Sequence, residues 1–225
     1  MSAIFVTGTG TEIGKTFVTA ALIRELRRRG RAVDALKPVV SGFDQSQAAT
    51  SDPGLLLAAL GEAPTTAALD RVTPWRYAAP LSPDMAARRA GRALDFGALL
   101  AFTRAAVSAA SGILLIEGVG GVMVPLDDEH TVLDWIAALD VPVLLVGGSY
   151  LGAISHALTA LDVLGRRGLR VKAMIVNETP GSTVNLAETV ATIQRFATDI
   201  PIMALRRLAR AESAEDAVQR ITDLL

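Results

Sequence analysis

Gly8-Thr9-Gly10-Thr11-Glu12-Ile13-Gly14-Lys15-Thr16 joins a short apolar run to a helix-patterned segment, and it restricts the possible folds more than any other stretch. The run before it is Ala3 to Thr7. The segment after it, Thr16 to Arg29, repeats apolar residues at helical spacing through Val18, Ala21, Leu22 and Leu26, and Gly30 follows where a helix C-cap belongs. A strand, a glycine-rich turn and a helix in that order form the context of a phosphate-binding loop. Glycines allow backbone N–H groups to turn inward around phosphate oxygens, and the helix N-terminus adds positive partial charge. Lys15 would reach the β- and γ-phosphates and the Thr16 hydroxyl would ligate Mg²⁺. The common loop has four residues between its first glycine and the Gly-Lys pair; here Thr9 to Ile13 make five. Such a turn could also do no more than cap a helix, but Gly-Lys-Thr at the helix start favours a nucleotide.

The rest of the chain alternates in the same way. Strands are expected at Val33–Lys37, Ile113–Glu117, Val141–Val146, Val171–Val176 and Ile200–Met203. Helices are expected at Asp52–Leu60, Phe96–Ala110, Thr131–Ala138, Ala153–Arg167, Asn185–Ala197 and from about Ala214 onward. The strand candidates are continuous runs of Val, Ile and Leu, as parallel strands buried on both faces should be. The expected fold is therefore α/β, a single doubly wound, mostly parallel sheet of the P-loop nucleotide hydrolase type, with residues 1–225 as one domain. Periodicity weakens between Val39 and Pro83, where loops reaching a substrate are expected.

Composition removes many chemistries. With no cysteine, disulfides, thiolate metal sites and cysteine nucleophiles are excluded, and with two histidines so is a multi-histidine metal centre. Lys and Arg number 22 against 23 Asp and Glu, so no net field favours a polyanion and no nucleic-acid partner is expected. The Arg24, Arg27, Arg28, Arg29 and Arg31 cluster falls where cations complement a helix C-terminus. Val141 to Leu161 runs 21 residues without a formal charge, yet Pro142, Gly147, Gly148, Ser149 and Gly152 divide it into strand, turn and helix rather than a membrane span. Met1 to Val6 lacks the basic and apolar regions of a signal peptide, so a cytoplasmic protein is expected.

Several residues outside the loop can carry chemistry. Glu117 stands at the C-terminal end of an apolar strand, where ligands collect in such sheets, and can supply a carboxylate for Mg²⁺. Gly118, Gly120 and Gly121 would let backbone approach a ligand. Lys37 ends its strand; beside a strand feeding the phosphate loop it would point into the same crevice and clamp phosphoryl charge, whereas alone it reads equally well as a solvated lysine. Asp52, at a helix start, is by itself an ordinary dipole-favoured carboxylate. Asn177 can cap a turn or read a base edge.

The chain resembles the dethiobiotin synthetase family along almost its whole length. The resemblance rests on Val6-Thr7-Gly8-Thr9 with Thr11 to Thr16, Lys37-Pro38-Val39 with Ser41-Gly42, Ser51-Asp52, Ser82-Pro83, Glu117 to Gly121, Asp134-Trp135, Leu151-Gly152 and Asn177. It implies an ATP- and Mg²⁺-dependent ligase of biotin synthesis, closing a ureido ring on 7,8-diaminononanoate with CO₂ through a carbamate and a carbamic-phosphoric anhydride. It further implies that Glu12, Ile13, Gly14, Lys15, Thr16 and Phe17 hold ATP, and that Thr16, Asp52 and Glu117 hold Mg²⁺. Lys37 and Lys15 would be the active-site lysines, with Ser41 on the substrate. Glu117, Gly118, Val119, Gly120 and Asn177 would line the nucleotide site, and Pro201, Ile202 and Met203 would help enclose adenine. A homodimer with its active site at the interface is implied as well. No tyrosine occurs from Thr179 to Phe196, where some members supply one to the substrate carboxylate, so backbone N–H groups near Leu151-Gly152 are expected to take that part.

Two other readings fit the phosphate loop less well. A partitioning or positioning ATPase usually has an additional lysine early in the loop, where Thr9, Gly10 and Thr11 stand here, and often carries a basic or amphipathic membrane segment. The C-terminal helix, with Glu212, Glu215, Asp216 and Asp223 against Arg210 and Arg220, lacks the basic bias of a membrane binder. A synthetase domain of cobyric-acid amidation would need a glutaminase module with a nucleophilic cysteine, which only a separate partner chain could supply because this chain has none.

Overall fold

The structure, a computed structural model, describes residues 2–206 and 212–223; Arg210 lies outside them. In chain order the elements are β1 (Ser2–Gly8), α1 (Lys15–Arg28), β2 (Val33–Leu36), β3 (Val39–Ser41), α2 (Asp52–Leu60), α3 (Thr66–Val72), β4 (Trp75–Tyr77), α4 (Pro83–Arg89) and α5 (Phe96–Ala109). There follow β5 (Ile113–Glu117), α6 (Val132–Leu139), β6 (Val143–Gly148), α7 (Ala153–Arg166), β7 (Val171–Asn177), α8 (Leu186–Phe196), β8 (Ile202–Leu205) and α9 (Glu212–Asp223).

Six strands form one sheet in the order β2-β5-β1-β6-β7-β8, and every neighbouring pair is parallel. All residues of β5 and β6 are buried, which accounts for their unbroken apolar sequences. Alternate side chains serve opposite faces: Phe5, Ile116, Leu145 and Val176 pack into one core, and Ile4, Val6, Leu115, Leu144 and Ile175 into the other. The first core is anchored by Phe5 meeting Trp135 edge-on, ring centroids 4.8 Å apart, while the indole N–H donates to Thr103 Oγ1 at 3.2 Å. The second packs α1, α2 and α9 against the opposite face. Side-chain caps fix several helix starts: Ser51 for α2, Thr65 for α3, Asp95 for α5 and Asn185 for α8 accept from backbone N–H groups, and Thr131 with Asp134 forms a capping box for α6.

Some sequence expectations shift. β2 stops at Leu36, so Lys37 follows the strand instead of ending it. β6 starts at Val143, beyond Pro142, whose nitrogen has no hydrogen to give a ladder, and runs on through Gly148. β8 spans Ile202–Leu205, two residues later than expected. The weakly patterned stretch after Val39 is more ordered than its periodicity suggested: β3 and β4 pair in parallel as a small separate ladder, a 3₁₀ turn covers Gln45–Thr50, and α3 and α4 complete it. Strands of three residues are too short to display a period of two. Val141 to Leu161 resolves into strand, turn and helix, and among the described residues no helix is long and apolar enough to cross a membrane.

Candidate active site

The C-terminal ends of β1, β5, β6 and β7 come together where the phosphate loop leaves β1 for α1. Two residues of the loop take left-handed backbone conformations, Glu12 at φ 56° and Gly14 at φ 91°. Gly14 is required for a second reason, because a Cβ there would run into the side-chain amide of Asn177. That amide donates to Ile13 O at 3.0 Å, so the last residue of β7 holds the loop at the position that precedes α1. Lys15 folds back over its own loop and donates to Gly10 O at 2.7 Å.

Lys37 was expected beside the strand that feeds the loop, but β5 lies between β2 and β1, so Lys37 meets Glu117 first. Glu117 is wholly buried, and its Oε1 accepts from Lys37 Nζ and from Thr16 Oγ1, each at 2.7 Å. Lys37 also donates to Gly118 O at 2.7 Å and lies 3.3 Å from Asp52 Oδ2. Asp52, on the first turn of α2, is therefore a partner in the site and not only a dipole-favoured carboxylate.

The electrostatics follow from this crowding. Burial acts against the charged form of Lys37, but the Glu117 and Asp52 carboxylates outweigh it and hold the ammonium above its ordinary pKa. Burial, reinforced by the charge of Lys37, lowers Lys15 to about 8 against the partial opposition of Glu117 and Asp52. For Asp52, burial is overcome by the charge of Lys37 and by hydrogen bonds from Thr16 and Lys37, so its pKa is lowered.

A cleft of about 870 Å³ opens over these groups. Glu12, Gly14, Lys15, Thr16, Lys37, Ser41, Asp52, Val119 and Gly120 line it, so it brings together most of the residues singled out in the sequence. Thr11, Val40, Pro80, Leu81, Ser82, Pro83 and Val124 complete the wall. Of these, Val40, Pro80 and Leu81 fall in the stretch from Val39 to Pro83 where loops reaching a substrate were expected, although the sequence did not single out Val40 or Leu81; Val124 had no sequence signal. Ile13 contributes its carbonyl while its side chain is buried, and Gly118 contributes its carbonyl to Lys37. Phe17, on the first turn of α1, is half exposed and does not line the cleft.

Pro201, Ile202 and Met203 do not line this cleft. Ile202 pairs with Met174 and Met203 with Ile175, two or three positions before Asn177, and both side chains pack with the cores. The β8 residue level with Asn177 is Leu205.

A phosphate loop at the C-terminal edge of this parallel sheet, with a lysine and a carboxylate from neighbouring strands beside it, defines a fold of the P-loop nucleotide hydrolase type. Solved structures agree on the fold: the cell division ATPase MinD of Pyrococcus furiosus has a TM-score of 0.62 at 16% identity, covering 100% of this chain and 98% of that one. The MinC:MinD cell division complex of Aquifex aeolicus gives 0.60 at 13% identity, covering 99% of this chain and 95% of that chain. A family model described as an AAA domain matches residues 2–216. Sequence relatives narrow the class. The chain is 54% identical over 196 residues to the ATP-dependent dethiobiotin synthetase BioD of Methylobacterium nodulans, covering 85% of this chain and 87% of the relative. It is 50% identical over 209 residues to that of a Caulobacter species, strain K31, covering 92% and 89%. The chain belongs to the ATP-dependent dethiobiotin synthetase family.

Proposed function

We propose that this chain, as one domain over residues 1–225, is a cytoplasmic, homodimeric ligase of biotin synthesis. It converts 7,8-diaminononanoate, CO₂ and ATP to dethiobiotin, ADP and phosphate. The observation that carries this reading, beside the family, is the pairing of two lysines, Lys15 and Lys37, in one cleft with Ser41 at its wall. Phosphoryl transfer from ATP to a substrate carbamate concentrates negative charge between donor and acceptor and needs little general-base help. Lys15 belongs to the nucleotide side through the phosphate loop. Lys37, anchored from β2, and Ser41, from β3, belong to the acceptor side, where they orient the carbamate oxygen toward the γ-phosphate. The apolar wall of Val40, Pro80, Leu81 and Val124 suits the methylene chain of the diamine and keeps water from the mixed anhydride until the second amine attacks.

Magnesium fits the residues present. The available donors are hard oxygens, and Glu117 Oε2 is buried without a hydrogen-bond partner. Thr16, Asp52 and Glu117 would hold the ion, and it would supply charge neutralisation at the phosphate oxygens. The adenine is assigned to the space beyond Asn177 and Leu205–Arg206, because Pro201–Met203 stand further back along the sheet. Leu151, 90% exposed at the turn before α7, and Met123, 57% exposed near the cleft, support a second copy closing the site. The backbone N–H groups that open α7 would take the substrate carboxylate.

The decisive experiment mixes purified protein with ATP, Mg²⁺, bicarbonate and the diamine. ADP release that depends on the diamine, with dethiobiotin identified by mass, is the expected result; ADP release indifferent to the diamine refutes the proposal.

A further inference from the structure

Beyond Asn177 the ladder between β6 and β7 gives way to a pair of side-chain bonds. Ser149 N donates to Thr179 Oγ1 and Thr179 N donates to Ser149 Oγ, each at 3.0 Å. Ser182 Oγ closes the unit by donating to Ser149 O at 2.7 Å. Ser149 is fully buried. On the same side Gly148 is the register partner of Asn177, and a Cβ on Gly148 would come within 2.8 Å of Thr179 Oγ1. On the other side Glu178 N donates to Leu205 O at 2.9 Å. Asn177 is thus held between β6 and β8, and the crossed hydroxyls tie down the chain that leaves it.

The grip has a consequence at the phosphate loop. In a trans peptide the C=O and N–H point in opposite directions. Asn177 draws Ile13 O toward itself, so the Gly14 N–H of the same peptide is turned away from Asn177, on a residue that lines the cleft. We propose that Ser149 and Thr179 form a positioning latch that sets Asn177, and through it the Ile13–Gly14 peptide, for binding nucleotide phosphate. The latch makes no contact with the ligand. It works by removing the freedom of the β7 exit, so that Asn177 meets Ile13 O before the nucleotide arrives and the ordering cost at binding is reduced.

This inference rests on the nucleotide reading above, and the test separates the two. Mg²⁺-ADP binding is measured by calorimetry on the wild-type protein, Thr179→Val, Thr179→Ser, Asn177→Ala and the Thr179→Val/Asn177→Ala pair. Absence of binding by the wild type overturns the nucleotide reading and the latch with it. With binding present, the latch requires Thr179→Val to raise the ADP Kd about fivefold, the effect of one lost hydrogen bond. Thr179→Ser, which keeps the accepting hydroxyl, should restore it. The KM for the diamine should stay constant. In the Asn177→Ala background Thr179→Val should have no further effect, because the group it positions is gone. An unchanged Kd in Thr179→Val, an effect in the Asn177→Ala background equal to that in the wild type, or parallel changes in ADP Kd and diamine KM would each overturn the latch. If Thr179→Val does not fold, Ser149→Ala is measured against the same criteria.

Discussion

Lys37 Nζ lies 2.7 Å from Glu117 Oε1, and both side chains are almost wholly withdrawn from solvent. An ammonium has three N–H groups, and here three acceptors surround it: Glu117, the Gly118 carbonyl and Asp52. The charge is fixed by folding before any ligand arrives. A phosphoryl group reaching Lys37 must replace one of these partners, and the Asp52 contact, at 3.3 Å and with its carboxylate 45% exposed, is the weakest held.

That arrangement predicts a large stability effect from a single substitution. Lys37→Met should cost about 3–5 kcal/mol, because it leaves the Glu117 carboxylate buried without its counter-charge. The Lys37→Met/Glu117→Gln pair should recover a substantial part. Urea unfolding of the three proteins checks this, and equal losses in the single and double variants would refute it. Both variants should lack turnover.

Lys15 predicts the pH dependence of nucleotide binding. Its folded pKa of about 8 lies below its ordinary 10.5, so near pH 9 the free protein holds it largely neutral. Bound phosphates favour the charged form. Binding should therefore take up a proton above pH 8, and the ADP Kd should weaken as pH rises from 7 to 9.5. Calorimetry in buffers of different ionisation enthalpy reads the proton directly. The stability sign is the reverse of a favourable ion pair. Between about pH 8 and 10.5 the unfolded chain binds the extra proton at this position, so this group's contribution to stability rises with pH across that window.

Gly14→Ala should abolish measurable ADP binding while the chain still folds. The added Cβ meets the Asn177 amide, and φ 91° strains any L residue at that position. The Gly14→Ala/Asn177→Ala pair lacks the collision but keeps the strain, so it should bind ADP more weakly than Asn177→Ala alone. Equal binding by the two would show that strain is unimportant there.

Glu117→Gln keeps the shape of the side chain and removes its charge. Magnesium should then stimulate ADP binding at least about tenfold less than in the wild-type protein, the loss expected when one charged ligand of a divalent ion is neutralised. A titration of ADP binding against Mg²⁺ concentration measures this, and an unaltered magnesium requirement would remove Glu117 from the ion's ligands.

Gly118→Ala tests the packing under the site. Its Cβ would approach the Phe5 ring to 2.8 Å, and Phe5 is braced against Trp135. Overpacking of about 1–3 kcal/mol is expected, read by thermal or urea unfolding. A neutral result would mean that the Phe5–Trp135 pair can shift at little cost.

The sequence by itself determined the alternation of buried strands and helices and the place of the glycine-rich Gly8–Thr16 turn between the first strand and the first helix. These are local signals: an unbroken apolar run marks a strand buried on both faces, and a Gly-Lys-Thr turn has its meaning within nine residues. Strand order was not local. Only the tertiary structure decided that β5 lies between β2 and β1, so that Lys37 enters the cleft beside the phosphate loop already paired with Glu117. The same holds for Asp52, ambiguous as a helix-start carboxylate until α2 packs beside Lys37, and for Asn177, whose amide finds Ile13 across 164 residues of chain. The register that sets Ile202 level with Met174 and Leu205 level with Asn177 is likewise not encoded in sequence spacing. Spacing along a chain fixes which residues share a turn or a strand. Which of them share a charge or a hydrogen bond depends on how the sheet is ordered, and that is set by the packing of its two cores.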